Sequence, residues 1–268
     1  MKWTVGITTC PRHNGYYLDK TIESLYEAGW EDIFIFAEPN SIIPSSFRGC
    51  VIERRKQYGD WSNWSAGLYE LLLSEPDTDL FFMLEDDVIL CQAKPYLEYA
   101  IPKLGEFATI SLYTPSIYAK KNRCFHNECH SNRRIRSWST VTIIMRREQV
   151  IDFFSDHDVQ SHRFKDIDKV LTPGKHASYG RGFTSLVDMV GNTVKDVVIG
   201  DWAHKKQLPT YYHSPALAEH IGEFSTLTED ECTVQNGRMT KDFVSNTDLS
   251  KWLEQPIPKL KSPQVLLC

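Results

Sequence analysis

Short apolar runs alternate along the first third of the chain with stretches whose apolar residues recur at helical spacing. Thr4 to Thr8 reads as a strand, and Leu18, Ile22 and Leu25 then mark one face of a helix that Gly29 should stop. Ile33 to Ala37 and Cys50 to Glu53 read as further strands, a helix is predicted from about Trp61 to Leu73, and Leu80 to Leu84 is apolar throughout, as a strand buried on both faces must be. Repeated β-α units of this kind predict an α/β fold with a largely parallel sheet and helices on both faces.

Past Gln92 the pattern is less regular. Phe107 to Leu112 and Trp138 to Met145 read as strands and Glu148 to Phe154 as a short helix. A further helix is expected near Asp196, with Val198, Ile199, Trp202 and Leu208 on its apolar side, followed by an extended return over Pro209 to Tyr212. Beyond Leu227 the chain is polar and ends Pro-rich, which reads as a peripheral extension. The predicted division is residues 1–225 as one domain of two abutting halves, 1–92 and 93–225, with 226–268 as the extension.

The Leu80 to Leu84 run passes straight into Glu85, Asp86 and Asp87. An apolar strand that delivers consecutive carboxylates must bring them out where charge is solvated or neutralised. A hard divalent cation, Mn²⁺ or Mg²⁺, is the natural partner, because it takes carboxylate oxygens and keeps coordination sites for phosphates. In parallel sheets ligands gather at the carboxyl ends of strands, so Thr8, Thr9, Arg12 and Glu38 should share an edge with the triplet. A P-loop ATPase can also place an acid at the end of an apolar strand, but it needs a glycine-rich loop ending in Gly-Lys-Ser or Gly-Lys-Thr. Gly174-Lys175-His176 does not meet that requirement, and Gly180-Arg181-Gly182 lacks the third glycine of a dinucleotide loop.

Composition narrows the class further. At 268 residues and 41% hydrophobic content the chain can bury a full core. Met1-Lys2 leads directly into the first strand, with neither a signal peptide nor an apolar membrane span, so a cytoplasmic setting in a bacterium or a virus-infected host cell is expected, without a membrane partner. The cysteines number 7, an odd count scattered from Cys10 to Cys268, which favours reduced thiols over a disulfide framework. A formal net charge of −5 gives no general attraction for nucleic acid. Locally, however, Lys120, Lys121, Arg123, Arg133, Arg134 and Arg136 form a basic segment opposed by Glu128. The same segment holds Cys124, His126, Cys129 and His130, whose close spacing is awkward for zinc.

Taken in order, these features resemble a GT-A type glycosyltransferase, the nucleotide-diphosphate-sugar-dependent class with a Rossmann-like first half. The resemblance covers roughly residues 3–225. It rests on Val5-Gly6-Ile7-Thr8-Thr9-Cys10-Pro11-Arg12 as opening strand and nucleotide loop, and on Trp61-Ser62-Asn63-Trp64-Ser65-Ala66-Gly67-Leu68 as the helix before the metal strand. Phe82-Met83-Leu84-Glu85-Asp86-Asp87 is similar to the acidic metal motif. Asp196 to Trp202, with Tyr211 to Gly222, is similar to the acceptor-side helix and later histidine segment.

The resemblance implies a Mn²⁺- or Mg²⁺-dependent, hexosyltransferase-like enzyme that moves a sugar from a nucleotide diphosphate donor, with a UDP-sugar favoured, to an acceptor hydroxyl, with inversion favoured and retention left open. It implies Asp87 as direct metal ligand and His220 as a further metal or phosphate contact. Glu85 and Asp86 would bind ribose or metal-bound water, and Thr8, Thr9, Arg12, Glu38, Asn63 and Trp64 would lie on the nucleotide side. The motif is Glu-Asp-Asp where the family more often has Asp-x-Asp, which leaves open which carboxylate binds metal. Asp196 and Asp201 compete as the base. Asp196 is the first choice, on the expectation that a helix N-terminus lowers its pKa.

Trp138 is the aromatic expected against the acceptor, and Arg133, Arg134 and Arg136 would meet phosphates if the acceptor is a hydroxymethylated pyrimidine in phage-type DNA. A glycan or protein acceptor is the alternative. So is a catalytically silent sugar-nucleotide or glycan-binding module of the same fold. Nucleotidyl transfer finds no dedicated basic glycine-rich loop near the N-terminus.

Overall fold

A computed structural model describes residues 1–12, 16–116, 118–121, 125–127, 140–162, 195–223, 239–244 and 249. Its elements are β1 (Trp3–Thr9), α1 (Leu18–Glu27), β2 (Ile33–Ala37), β3 (Cys50–Glu53), α2 (Asp60–Ser74), β4 (Leu80–Glu85), β5 (Val88–Leu90), α3 (Lys94–Ala100), β6 (Thr109–Ser111) and β7 (Phe125–Asn127). They continue with β8 (Thr142–Arg146), α4 (Arg147–Ser155), α5 (His157–Ser161), α6 (Lys195–Lys205), β9 (Thr210–His213) and β10 (Ala218–His220).

The main sheet has the order β3-β2-β1-β4-β8-β6-β9-β7. Neighbours from β3 to β4 are parallel, as are β6 and β9; β8 is antiparallel to both β4 and β6, and β7 to β9. The fold is therefore mixed α/β with a mostly parallel sheet.

Strand periodicity sorts the core into two layers. On one face Val5, Ile7, Ile33, Ile35, Leu80, Phe82, Leu84 and Ile144 pack with Leu18, Ile22 and Leu25 of α1 and Leu97 of α3. On the other, Phe36, Phe81, Met83, Ile143 and Met145 meet α2, α4 and α6 through Trp64, Leu68, Phe153, Ile199 and Trp202. Successive side chains of β4 enter opposite layers, which is why that strand is apolar without alternation. Gly67 lets α2 approach β2, since a Cβ there would stand 2.7 Å from the Phe36 ring. Gly29, at φ +89°, follows the end of α1 in the left-handed conformation that stops helices.

The β-α order of the first third follows the predicted one to within a residue or two. The strand expected over Phe107 to Leu112 narrows to β6, and the one expected over Trp138 to Met145 is seen as β8, entered by a turn at Thr140 and Val141; Trp138 lies outside the described residues. The periodicity missed β5 and β10, which pair antiparallel in a sheet of their own with His220 opposite Val88. Each strand is three residues long, too short to display a period. Part of the extension is bound to the main body. Thr240 hydrogen bonds through both its amide and its hydroxyl to Glu219, the Ala216 amide donates to Asp242 Oδ1 at 3.3 Å, and Leu249 joins the first core layer. Among the described residues no helix is long and apolar enough to cross a membrane, and Cys10, Cys50 and Cys91 are free thiols.

Candidate functional site

The site is built at the carboxyl end of β4. Glu85 closes the strand, and Asp86 and Asp87 form a tight turn into β5. Thr21 of α1 holds that turn from behind, its hydroxyl donating to the Asp86 carbonyl at 2.8 Å and accepting from the Val88 amide at 3.1 Å. The β5–β10 pairing then brings in His220, from far along the chain, and the Ile221 amide donates to the Asp87 carbonyl at 2.8 Å. Gly222 closes against the same aspartate so tightly that a Cβ would collide with Asp87 Oδ2.

Within this frame Asp87 Oδ2 lies 2.9 Å from His220 Nε2 and 2.9 Å from Arg12 Nη2. Asp86 accepts from Thr9 Oγ1 at 2.6 Å and from Arg12, whose Nε lies 3.0 Å away and whose Nη2 also bonds it. Burial acts to raise the Asp87 pKa, but His220 and Arg12 beside it prevail and hold it down to about 2. For Asp86 burial prevails over Arg12, and its pKa is raised. Cys10, at the end of β1, is pushed up to about 12 by burial and then by Asp86, so its thiol keeps its proton.

A second buried cation sits on the other side of Glu85. Lys195, at the start of α6, donates to Glu85 Oε1 at 2.7 Å and reaches Asp60 Oδ1, in the first turn of α2, at 2.8 Å. Burial would lower its pKa, yet the two carboxylates raise it and keep the ammonium charged. The next residue is Asp196, whose Oδ1 accepts from the Thr140 amide at 2.8 Å. The Glu85 amide donates to the Val141 carbonyl at 3.1 Å, so Thr140, Glu85 and Asp196 meet at one edge of the sheet. Burial raises the Asp196 pKa to about 6, against Lys195 and the Thr140 hydrogen bonds. The expected lowering by the helix N-terminus is reversed, because desolvation outweighs it.

Glu85, Asp87 and His220 each offer a ligand atom, and these atoms lie within 4.8 Å of one another. Asp87 Oδ1 is buried with no hydrogen-bond partner, an arrangement that normally costs stability and that a cation would relieve. Two carboxylates and an imidazole suit Mn²⁺ and are compatible with Mg²⁺. The residues therefore fit a divalent cation.

Other predicted residues are placed differently. Thr8, the penultimate residue of β1, lies beside Glu85, in register with it. Arg12 is committed to Asp86 and Asp87 instead of facing outward. The Glu38 carboxylate accepts from the Tyr58 and Gly59 amides at 2.9 to 3.0 Å and so braces the entry to α2. Asn63 and Trp64 belong to the inner face of α2, where Asn63 accepts from Arg54 Nε at 2.9 Å and donates to the Phe36 carbonyl at 3.0 Å, and Trp64 is wholly buried among Trp61 and Phe153. Neither offers a face to a ligand, and the 61, 64, 68, 71 spacing of their helix already marks Trp64 as core. Asp201 is exposed on α6. Arg133, Arg134, Arg136 and Trp138 lie outside the described residues, as do Cys124, Cys129 and His130; His126 is buried, its Nε2 3.0 Å from the Tyr118 carbonyl oxygen. Lys195 and Thr21 were missed because nothing in their local sequence marks them as buried.

No family model and no curated protein matches the chain. Among solved structures it is similar to S. aureus TarS, at 11% identity and TM-score 0.40 over 57% of this chain, and to TarS 1-349, at 12% and 0.38 over 59%. It spans 30% and 49% of those two chains. It is also similar to A197 from STIV, at 11% identity and TM-score 0.44, covering 92% of this chain and 97% of that one. A nucleoside-diphosphate-sugar pyrophosphorylase from Vibrio cholerae RC9 matches at 8% and 0.44 over 81% and 95%. Likeness this slight carries no activity across.

Proposed function

We propose that the chain is a metal-dependent glycosyltransferase of GT-A type that moves a sugar from a nucleotide diphosphate donor, with a UDP-sugar favoured, to an acceptor hydroxyl. The observation that carries this reading is the convergence of Glu85, Asp87 and His220, with the orphaned Asp87 Oδ1, at a sheet edge that also holds Asp196. Glu85, Asp87 and His220 would hold Mn²⁺ or Mg²⁺, which when bound supplies Lewis-acid stabilisation of the charge growing on the diphosphate leaving group.

Asp196 serves as base. With its pKa raised to about 6 it is mostly ionised at neutral pH yet close enough to that pH to accept a proton efficiently. In an inverting transfer the acceptor oxygen attacks the anomeric carbon, the bond from that carbon to the β-phosphate oxygen breaks, and the acceptor proton passes to Asp196. Lys195 keeps Glu85 in place, and the Thr140 amide fixes the direction of Asp196. Thr8, in register with Glu85, would lie on the donor side, and Thr9 ties its hydroxyl to Asp86. Hydroxymethylated pyrimidine in DNA is carried as the acceptor on the basic segment, of which Lys120 and Lys121 are described, with a glycan or protein as alternative.

One observation favours a second reading, a silent binding module: Arg12 already neutralises Asp86 and Asp87 without an ion. A donor screen that reports released nucleoside diphosphate, with Mn²⁺ or EDTA and with candidate acceptors, separates the two. Turnover that needs metal supports the transferase. Nucleotide binding with no turnover under any acceptor supports the module.

A further inference from the structure

Arg12 holds an unusual position for a donor-side residue. Its guanidinium is nearly buried, spans Asp86 and Asp87, and takes the same Asp87 oxygen that His220 contacts. Gly222 lies close on another side, so Oδ2 is approached by three residues while Oδ1 has no partner. A dication ligated by Asp87 and His220 and a guanidinium 2.9 Å from that carboxylate repel each other strongly in so dry a site. In this same pose the guanidinium also lies over Tyr17, its carbon 5.7 Å from the ring centroid, and Tyr17 in turn accepts from the Glu223 amide at 3.4 Å, just past the His220 to Gly222 segment. Giving up the Asp87 contact alone therefore leaves the guanidinium its Asp86 bonds and the Tyr17 ring.

From this geometry we infer that Arg12 is an internal counter-ion which holds the metal site shut and is released toward the donor diphosphate when a divalent cation binds, so that metal and nucleotide binding are coupled through it. The inference rests on the metal-site reading above. Arg12 then has two partners of the same chemistry, the Asp86–Asp87 carboxylates and a diphosphate, each able to accept its forked donors. Because it opposes one ligand and aids the other, its removal must move the two affinities in opposite directions, which neither a bracing role nor a spectator role does.

The test is calorimetry on the full chain with Mn²⁺ alone and with UDP at saturating Mn²⁺, comparing wild type with Arg12→Met, and with Arg12→Gln should the methionine variant not fold. The expected result is Mn²⁺ alone bound about tenfold more tightly and UDP about tenfold more weakly, within the usual range of coupling between two ligands. A loss of both affinities would show Arg12 merely braces the site and would overturn the inference, as would unchanged Mn²⁺ affinity. A wild type that binds no Mn²⁺ with or without UDP removes the metal reading itself and this inference with it.

Discussion

Asp87 and Asp196 are both carboxylates drawn out of solvent at the same edge of the sheet, and they are driven in opposite directions. Asp87 faces His220 and Arg12 and is held down to about 2; Asp196 has the Thr140 amide and a neighbouring Lys195 already claimed by Asp60 and Glu85, and burial lifts it to about 6. Environment has given one residue type two opposite titration behaviours. A carboxylate that never takes up a proton at working pH suits holding a cation, and one that titrates near neutrality suits moving a proton.

The contrast is broken most severely at Asp87. Asp87→Ala should cut turnover by at least about 10³-fold, because the charge that anchors the cation is gone, while circular dichroism shows an intact fold. Full activity in that variant would remove the metal role.

Asp196→Asn should lower transfer by about 10²- to 10⁴-fold with UDP binding retained, since the amide keeps the shape but cannot take a proton. The wild-type rate should climb as pH rises through about 6 and level off above it, and this inflection should vanish from the variant's residual rate. Stability gives an independent check of sign. A folded-state pKa above the ordinary carboxylate value means that ionising Asp196 costs stability progressively between about pH 4 and about pH 6, and fully above. Asp196→Asn should therefore melt higher than wild type at about pH 7.5 and no higher at about pH 4. A lower melting temperature at both would make Asp196 a structural cap.

Gly222→Ala sharpens the Asp87 side, because the added methyl collides with Oδ2. Mn²⁺ affinity should fall about 10- to 100-fold, as for other disturbances just outside a metal's ligands, with the Asp196 inflection unmoved. Asp201→Asn is the smallest change. On an exposed face of α6 it should alter rates by no more than about twofold, and a larger loss there than at Asp196 would transfer the base role to Asp201.

Much of the first third was readable because β1, β2 and β4 are buried on both faces and the helices on one, so burial is written into the local pattern. The same logic exposed the acid triplet, since carboxylates after Leu84 had to emerge at a strand end. What could not be read are features set by distant partners. His220 was noticed as a histidine near a glycine, but its meeting with Asp87 depends on β5 and β10, strands too short to show any period. Lys195 beside Asp196 looks like a solvated helix start until Asp60 and Glu85 close around it. The resemblance puts Arg12 and Glu38 on the nucleoside side, whereas the turn at Asp86 and the entry to α2 recruit them as internal partners. Trp64 is the opposite case, a motif residue whose place on the helical stripe already marked it as core, whereas nothing local marks Asn63 as a partner of Arg54 and Phe36.

The central claim is that Glu85, Asp87 and His220 form a divalent-metal centre serving a nucleotide diphosphate. Calorimetric titration of Mn²⁺ into the wild-type chain in the presence of UDP, repeated with Asp87→Asn, tests it most directly. The account predicts saturable Mn²⁺ binding by the wild type, UDP binding that is lost in EDTA, and neither response in the variant. UDP binding undiminished by EDTA, or a variant that takes up Mn²⁺ as the wild type does, would contradict it.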